Sequence, residues 1–188
     1  MNLGCVLMAA GSASRYGANK LLERVDGVPL YERAMAALGG GVFRQIAVVS
    51  RYEPILSCAR GAGLLAIPNP GAGEGVAASI RLGVAALKEC DGLAFAVCDQ
   101  PWLTRGSVAR LAAAFQKEPE LIWALGWQGR KGNPVFFPRA LFPQLAALTG
   151  DTGGSAVIRR HPHLLRLVEA GHPRELADLD YPIKGELP

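Results

Sequence analysis

The chain predicts an α/β fold, a mostly parallel sheet covered by helices on both faces. Two observations carry this. Short apolar, often β-branched runs alternate with segments of helical periodicity as far as residue 126. The composition is that of an ordinary globular chain: 50% of its 188 residues are hydrophobic and 19% charged. At this length a chain buries about 70% of its unfolded surface without disulfides or structural metal.

Gly4 to Ala9 is the first strand. Pro29 to Leu38 is a helix with Pro in its first turn, closed by Gly39-Gly40-Gly41. Gln45 to Val49 is a β-branched strand, Glu53 to Arg60 a short helix, and Gly63 to Ile67 the third strand. Glu74 to Lys88 carries Val76, Ile80, Val84 and Leu87 at helical spacing. Leu93 to Val97 is the fourth strand, Ser107 to Gln116 a helix, and Leu121 to Leu125 the fifth strand. Beyond residue 126 the rhythm breaks. Gly126 to Gly132 reads as a turn between antiparallel segments, leading into a strand at Asn133 to Phe137. Arg139 to Leu148 and Thr152 to Arg160 read as helical, Leu164 to Val168 as a last strand, and the remainder as a polar tail. One domain over 1–188 accounts for all of this.

Twenty Lys and Arg against sixteen Asp and Glu give a formal charge of +4. The excess is mild and dispersed. It suits an anionic small molecule and argues against a nucleic-acid partner, which wants a clustered basic face. Cys5, Cys58, Cys90 and Cys98 form no C-x-x-C pair and read as reduced, mostly buried thiols. The N-terminus has no positively charged leader and the apolar runs are too short to span a bilayer. The expectation is a cytoplasmic protein with no membrane partner.

In open parallel sheets ligands bind beyond the carboxyl ends of the strands, and three signals fall there. LMAAGSASRYGANK (Leu7 to Lys20) follows the first strand, with Arg15 and Lys20 on either side of Gly17. Small residues expose backbone N–H groups, and the two cations suit phosphate oxygens. It is neither a P-loop nor a dinucleotide turn, and spacing alone also allows an ordinary turn with two solvated cations. Asp99 ends the run LAFAV, and Pro101 turns the chain away. A carboxylate there is placed to hold Mg²⁺, or else it is a turn or cap residue. Asn69-Pro70-Gly71-Ala72-Gly73-Glu74-Gly75 leads into the helix bearing Ser79 and allows close approach of a base or sugar, or is a flexible turn. His161, His163 and His172 lie in Pro-bearing turns without zinc spacing.

In this order, the three segments and GRKGNPVFFPRALFPQLAALTGDTGGSAVI resemble the molybdenum-cofactor nucleotidyltransferases. These are the molybdopterin guanylyl- and cytidylyltransferase group within the nucleotide-sugar pyrophosphorylase fold. The resemblance implies a three-layer α/β/α, Rossmann-like sheet, with residues 1–126 binding nucleotide and 127–188 binding acceptor. Ala9, Ala10 and Gly11 would set backbone against base and ribose; Ser12, Ser14 and Arg15 would surround the triphosphate. Lys20 would neutralise charge at the reacting phosphates. Gly73, Gly75 and Ser79 would contact the nucleoside. Asp99 would coordinate Mg²⁺, with Asp180 in DLDYP a second ligand. Gly132, Asn133, Pro134 and Asp151 would border the acceptor pocket. By the resemblance, Ala9-Ala10-Gly11 is compatible with the cytidylyl branch, which reads A-A-G where the guanylyl branch has A-G-G, although uridylyl and other sugar-phosphate members share A-A-G; Asn133 stands where many cytidylyl members have His.

The resemblance implies transfer of a nucleoside monophosphate from an NTP, CTP before GTP, to the phosphate of molybdopterin. A terminal phosphate is already nucleophilic at neutral pH, so positioning and charge stabilisation suffice. A molybdoenzyme is the implied protein partner. The rival readings are a non-catalytic accessory protein for molybdenum-hydroxylase maturation and a GTP- or sugar-phosphate-specific transferase of the same fold.

Overall fold

A computed structural model of the chain describes residues 1–11 and 20–179. In chain order its elements are β1 (Leu3–Met8), β2 (Arg24–Val25), β3 (Val28–Pro29), α1 (Leu30–Leu38), β4 (Gln45–Ser50), α2 (Glu53–Gly61), β5 (Leu65–Pro68), α3 (Val76–Ala86) and β6 (Gly92–Val97). There follow α4 (Arg105–Lys117), β7 (Ile122–Trp127), β8 (Arg130–Pro138), α5 (Phe142–Ala146), α6 (Ser155–Arg160) and β9 (Leu165–Glu169).

A seven-stranded sheet runs in the order β5-β4-β1-β6-β8-β7-β9. β5, β4, β1 and β6 are parallel neighbours, and β7 is parallel to β9. β8 is antiparallel to both β6 and β7, so it alone in this sheet runs against the rest. The chain first winds outward from β1 through β4 to β5. It then crosses back to lay β6 on the other side of β1. Between β1 and β6 the winding reverses, which leaves a crevice at their carboxyl ends.

Parallel strands are covered on both faces, hence their unbroken apolar runs. Cys5 and Leu7 of β1 face a core completed by α1, α2 and α4, including Met35, Ile55 and Phe115. Val6 faces the opposite core, with Ile80 of α3, Leu145 of α5 and Val157 of α6. This is the expected α/β/α sandwich.

Three expectations are corrected. The β2–β3 hairpin was not foreseen; it turns on Asp26 and Gly27, at φ 52° and 77°. Strands of two residues show no periodicity. The turn placed at Gly126 to Gly132 shrinks to Gln128-Gly129, at φ 48° and 77°, a two-residue hairpin loop. The single helix expected over Arg139 to Leu148 is a 3-10 turn at Arg139–Leu141 followed by α5.

The tail is less loose than its polarity implies. Pro173–Leu176 forms a 3-10 turn, and Glu175 is only 3% exposed. Its carboxylate accepts hydrogen bonds from the Thr104 N–H (3.1 Å), the Thr104 hydroxyl (2.8 Å) and the His172 N–H (3.1 Å). Thr104 is also the N-cap of α4. Burial pushes the Glu175 pKa up, but hydrogen bonds from Ser107, Thr104 and Gly171 outweigh it and hold the group below its ordinary value. A depressed folded-state pKa stabilises the fold above the ordinary Glu range, and this contribution is lost as pH falls through the folded value. Glu175→Ala is therefore expected to cost about 2 kcal/mol or more, because it strands buried donors. In urea titrations run from neutral to acid pH, the advantage of the wild-type chain over Glu175→Gln should shrink as pH falls below the ordinary Glu range.

Candidate active site

A cleft of about 280 Å³ opens at the carboxyl ends of β1 and β6. Ala10, Gly11, Gly75, Ser79, Asp99 and Asp151 line it, over a floor that includes Met8, Leu21 and Val97. Six expected residues from four separate segments thus share one cavity. Lys20 joins them: its Nζ lies 3.2 Å from Oδ2 of Asp99. The Lys20 and Asp99 side chains keep 16% and 32% of their surface exposed.

Each is held by its neighbours. Lys20 begins a 3-10 turn, Lys20–Leu22, anchored by buried Leu21. Past the end of β6, Gln100 is buried and donates to the Leu176 carbonyl (3.3 Å) and to Oδ1 of Asp178 (3.0 Å). The Leu179 N–H donates to the carbonyl of Asp99 (2.8 Å). These bonds fix the Asp99 backbone and leave its carboxylate to the cleft.

The loop after β1 is braced from β4. The Ala9 N–H extends the ladder to Val49 (2.8 Å). The Ser50 hydroxyl donates to the Ala9 carbonyl (2.8 Å), and the Tyr52 hydroxyl donates to the Gly11 carbonyl (3.1 Å). Sequence reasoning missed Ser50 and Tyr52, because nothing in a strand-end Ser-Arg-Tyr announces contact with a loop forty residues earlier. It also missed Asn69 as a partner of Ser79: the buried amide donates to the Ser79 hydroxyl (2.9 Å).

Gly75 shapes the opposite wall. It has φ 102°, and a Cβ there would lie 2.3 Å from the carbonyl carbon of Gly150. The Ala77 N–H bonds to the Gly150 carbonyl (3.1 Å). This close approach draws Asp151 into the first cleft rather than to the acceptor side where it was expected. Gly73 is exposed in the 3-10 turn Ala72–Glu74, and the cleft wall is made by Ala72 and Gly75 instead.

A second cavity of about 170 Å³ shares Met8 and Val97 with the first. Its polar lining is Lys131, Asn133 and Ser155; Ile80, Phe95, Val135, Phe137, Leu145 and Ile158 supply the rest. Apolar surroundings lower the pKa of Lys131 by desolvation. Asn133 precedes buried Pro134 through a cis peptide bond, and Gly132 packs on Leu176. Of the expected acceptor residues, Asn133 lines this cavity and Gly132 and Pro134 support it from behind.

Ser12, Ser14, Arg15 and Asp180 lie outside the described residues. The four cysteines are free, and burial drives the Cys5 and Cys98 thiols far above their ordinary pKa. Neither is an activated nucleophile. His161 is paired with Gln144. Among the described residues no three His, Cys, Asp or Glu side chains gather to hold a metal, and no helix is long and apolar enough to cross a membrane.

Residues 5–164 match the MobA-like NTP transferase domain. The chain belongs to that family. It is a nucleotidyltransferase that uses an NTP. Solved structures share the transferase fold at low identity. A nucleotidyl transferase from Methanothermobacter thermautotroptrophicus superposes with a TM-score of 0.80 at 22% identity, over 96% of this chain and 92% of that one. A Mycobacterium tuberculosis protein, Rv0371C in complex with manganese, gives 0.70 at 20%, over 90% and 89%. A CMP:2-keto-3-deoxy-manno-octonic acid synthetase complexed with CTP gives 0.71 at 13%, over 90% of each chain. Comparison of the transferase with curated proteins found no match.

Gly75→Ala combines a left-handed backbone with a contact that the Gly150 backbone cannot relieve. It is expected to cost about 1–3 kcal/mol or more and to loosen residues 150–151, giving a lower denaturation midpoint and faster proteolytic cutting there.

Proposed function

We propose that this chain transfers a cytidylyl group from CTP to the phosphate of a molybdopterin-type acceptor and releases pyrophosphate. The observation that carries the reading is the Lys20–Asp99 pair at the crevice between β1 and β6, facing the Ala10–Gly11 backbone. One cation suited to phosphate and one carboxylate suited to a divalent metal sit within one contact distance. An acceptor phosphate oxygen attacks the α-phosphorus, the bond to the β-phosphate breaks, and pyrophosphate departs. No strong base is needed, in keeping with the inert cysteines and the structurally engaged His161.

Asp99 and Asp151 bring two carboxylates to the same cleft, a hard oxygen donor set. That fits Mg²⁺, which is commonly held by one or two carboxylates with substrate phosphates and water completing its shell. When bound, Mg²⁺ would draw negative charge from the phosphate oxygens. Lys20 would meet phosphate oxygens there, its ammonium offsetting charge that develops on the α-phosphate and the incoming phosphate. By the resemblance, Arg15, Ser12 and Ser14 hold the triphosphate and Asp180 adds a second metal ligand. Residues 1–126 would serve the nucleotide and 127–188 the acceptor, with Asn133 and Lys131 at the second cavity.

Ala10 supports CTP over GTP by the resemblance, in which the cytidylyl branch has A-A-G where the guanylyl branch has A-G-G, and Ala10 lines the cleft. The likeness in fold to a synthetase solved with CTP is consistent with this choice.

In a thermal-shift series with Mg²⁺, CTP should raise the melting temperature more than GTP, UTP or ATP do. A larger rise with GTP would overturn the cytidylyl assignment. Lys20→Ala and Asp99→Ala should each lower kcat by about 100- to 1000-fold while keeping the wild-type melting temperature. A near-normal rate in either variant would remove that residue from the mechanism.

A further inference from the structure

We infer that Ser50 and Tyr52 are positioning residues for the nucleotide, which aim the backbone amides at the start of the loop after β1. The inference rests on reading that loop as the nucleotide site. Ser50 ends β4, one step past the Met8–Val49 register pair, and is fully buried. Its hydroxyl is used in both directions: it donates to the Ala9 carbonyl at 2.8 Å and accepts the Tyr52 N–H at 3.1 Å. Tyr52 sits at the N-cap of α2, and its phenol reaches back to the Gly11 carbonyl at 3.1 Å. The Arg51 guanidinium lies 5.1 Å above the Tyr52 ring and steadies it.

The peptide unit converts these anchors into direction. In a planar trans peptide, the C=O of one residue and the N–H of the next point opposite ways. Holding the Ala9 carbonyl on the β4 side therefore turns the Ala10 N–H away from Ser50, and Ala10 lines the cleft. Among the described residues, neither backbone group of Ala10 has a hydrogen-bond partner, although the residue is only 5% exposed. Tyr52 acts on Gly11 in the complementary sense. A carbonyl oxygen facing the phosphates would repel them, and the phenol draws it aside. The same strand end also ties the far wall: the Ser50 carbonyl accepts the Asn69 N–H at 2.8 Å, and the Asn69 amide holds Ser79 at 2.9 Å.

The test is isothermal titration of CTP–Mg²⁺ into wild type, Tyr52→Phe, Ser50→Ala and Ser50→Thr, with ligand-free melting temperatures measured in parallel. Tyr52→Phe loses one hydroxyl at a solvent-facing position and is expected to fold as wild type. Its Kd for CTP–Mg²⁺ should rise about three- to tenfold at an unchanged melting temperature, the loss typical of one hydrogen bond. Ser50→Ala should weaken binding in the same range, and Ser50→Thr, which keeps the hydroxyl, should recover it. A Tyr52→Phe affinity within twofold of wild type overturns the positioning role while leaving the nucleotide site standing. So does a weakening matched by a fall in ligand-free melting temperature. If wild type binds none of CTP, GTP, UTP and ATP, the nucleotide reading falls and this inference falls with it.

Discussion

β1 lies between β4 and β6, and the winding of the chain reverses there, which opens a crevice at the carboxyl ends of β1 and β6. Every feature of the site follows from that gap. The loop after β1 and the turn after β6 must stand side by side there, which brings Lys20 within reach of Asp99. The helix after β5 must cross back over the same gap, which brings Gly75 and Ser79 to its rim. The residues that line the cleft are thus delivered by chain routing, whereas side-chain packing only fixes their height and angle.

The distribution of buried polar groups follows the same logic. Among the described residues, the buried polar ones are Ser50, Asn69, Ser79, Gln100, Ser107 and Glu175. Burying such groups is costly unless they are bonded. Here the cost is concentrated in two places. Ser50, Asn69 and Ser79 link the two walls of the cleft, and Gln100, Ser107 and Glu175 fasten the tail against the turn after β6 and the start of α4. The two cores between sheet and helices are almost wholly apolar. Polar burial is spent on placing the backbone around the site, while stability rests on Leu, Val, Ile and Phe.

What could be read in advance follows from which forces are local. The strands of the parallel half were legible because burial on both faces imposes continuous apolar runs, and Asp99 stood out as a carboxylate at the end of one. Lys20 was legible from the loop's small residues and its two cations. The braces were not. Ser50 and Tyr52 act on residues 41 positions away, and Glu175 acts on Thr104 across 71. Such contacts exist only once the sheet is assembled. The family resemblance grouped Asp151 with Gly132, Asn133 and Pro134 at the acceptor pocket. It lies in the first cleft because Gly75 lets the Gly150 backbone come close. The resemblance grouped Gly73 with Gly75, yet of the two only Gly75 has a neighbour that excludes a Cβ.

The reversed direction of β8 has a separate consequence. β6 pairs only with Val135 to Pro138, but β8 begins at Arg130 and stays paired with β7 to the hairpin turn at Gln128-Gly129. The first part of β8 therefore runs on past its pairing with β6 as a ribbon held by β7 alone, across a register shift between Ala124 and Gly126. Lys131 sits on this ribbon, and its tip at residues 128–130 is exposed. The ribbon can be lengthened or reshaped at residues 128 and 129 without shifting the register of any strand beneath it. A change of length at that tip would lie outside both cores and outside the residues that line either cavity.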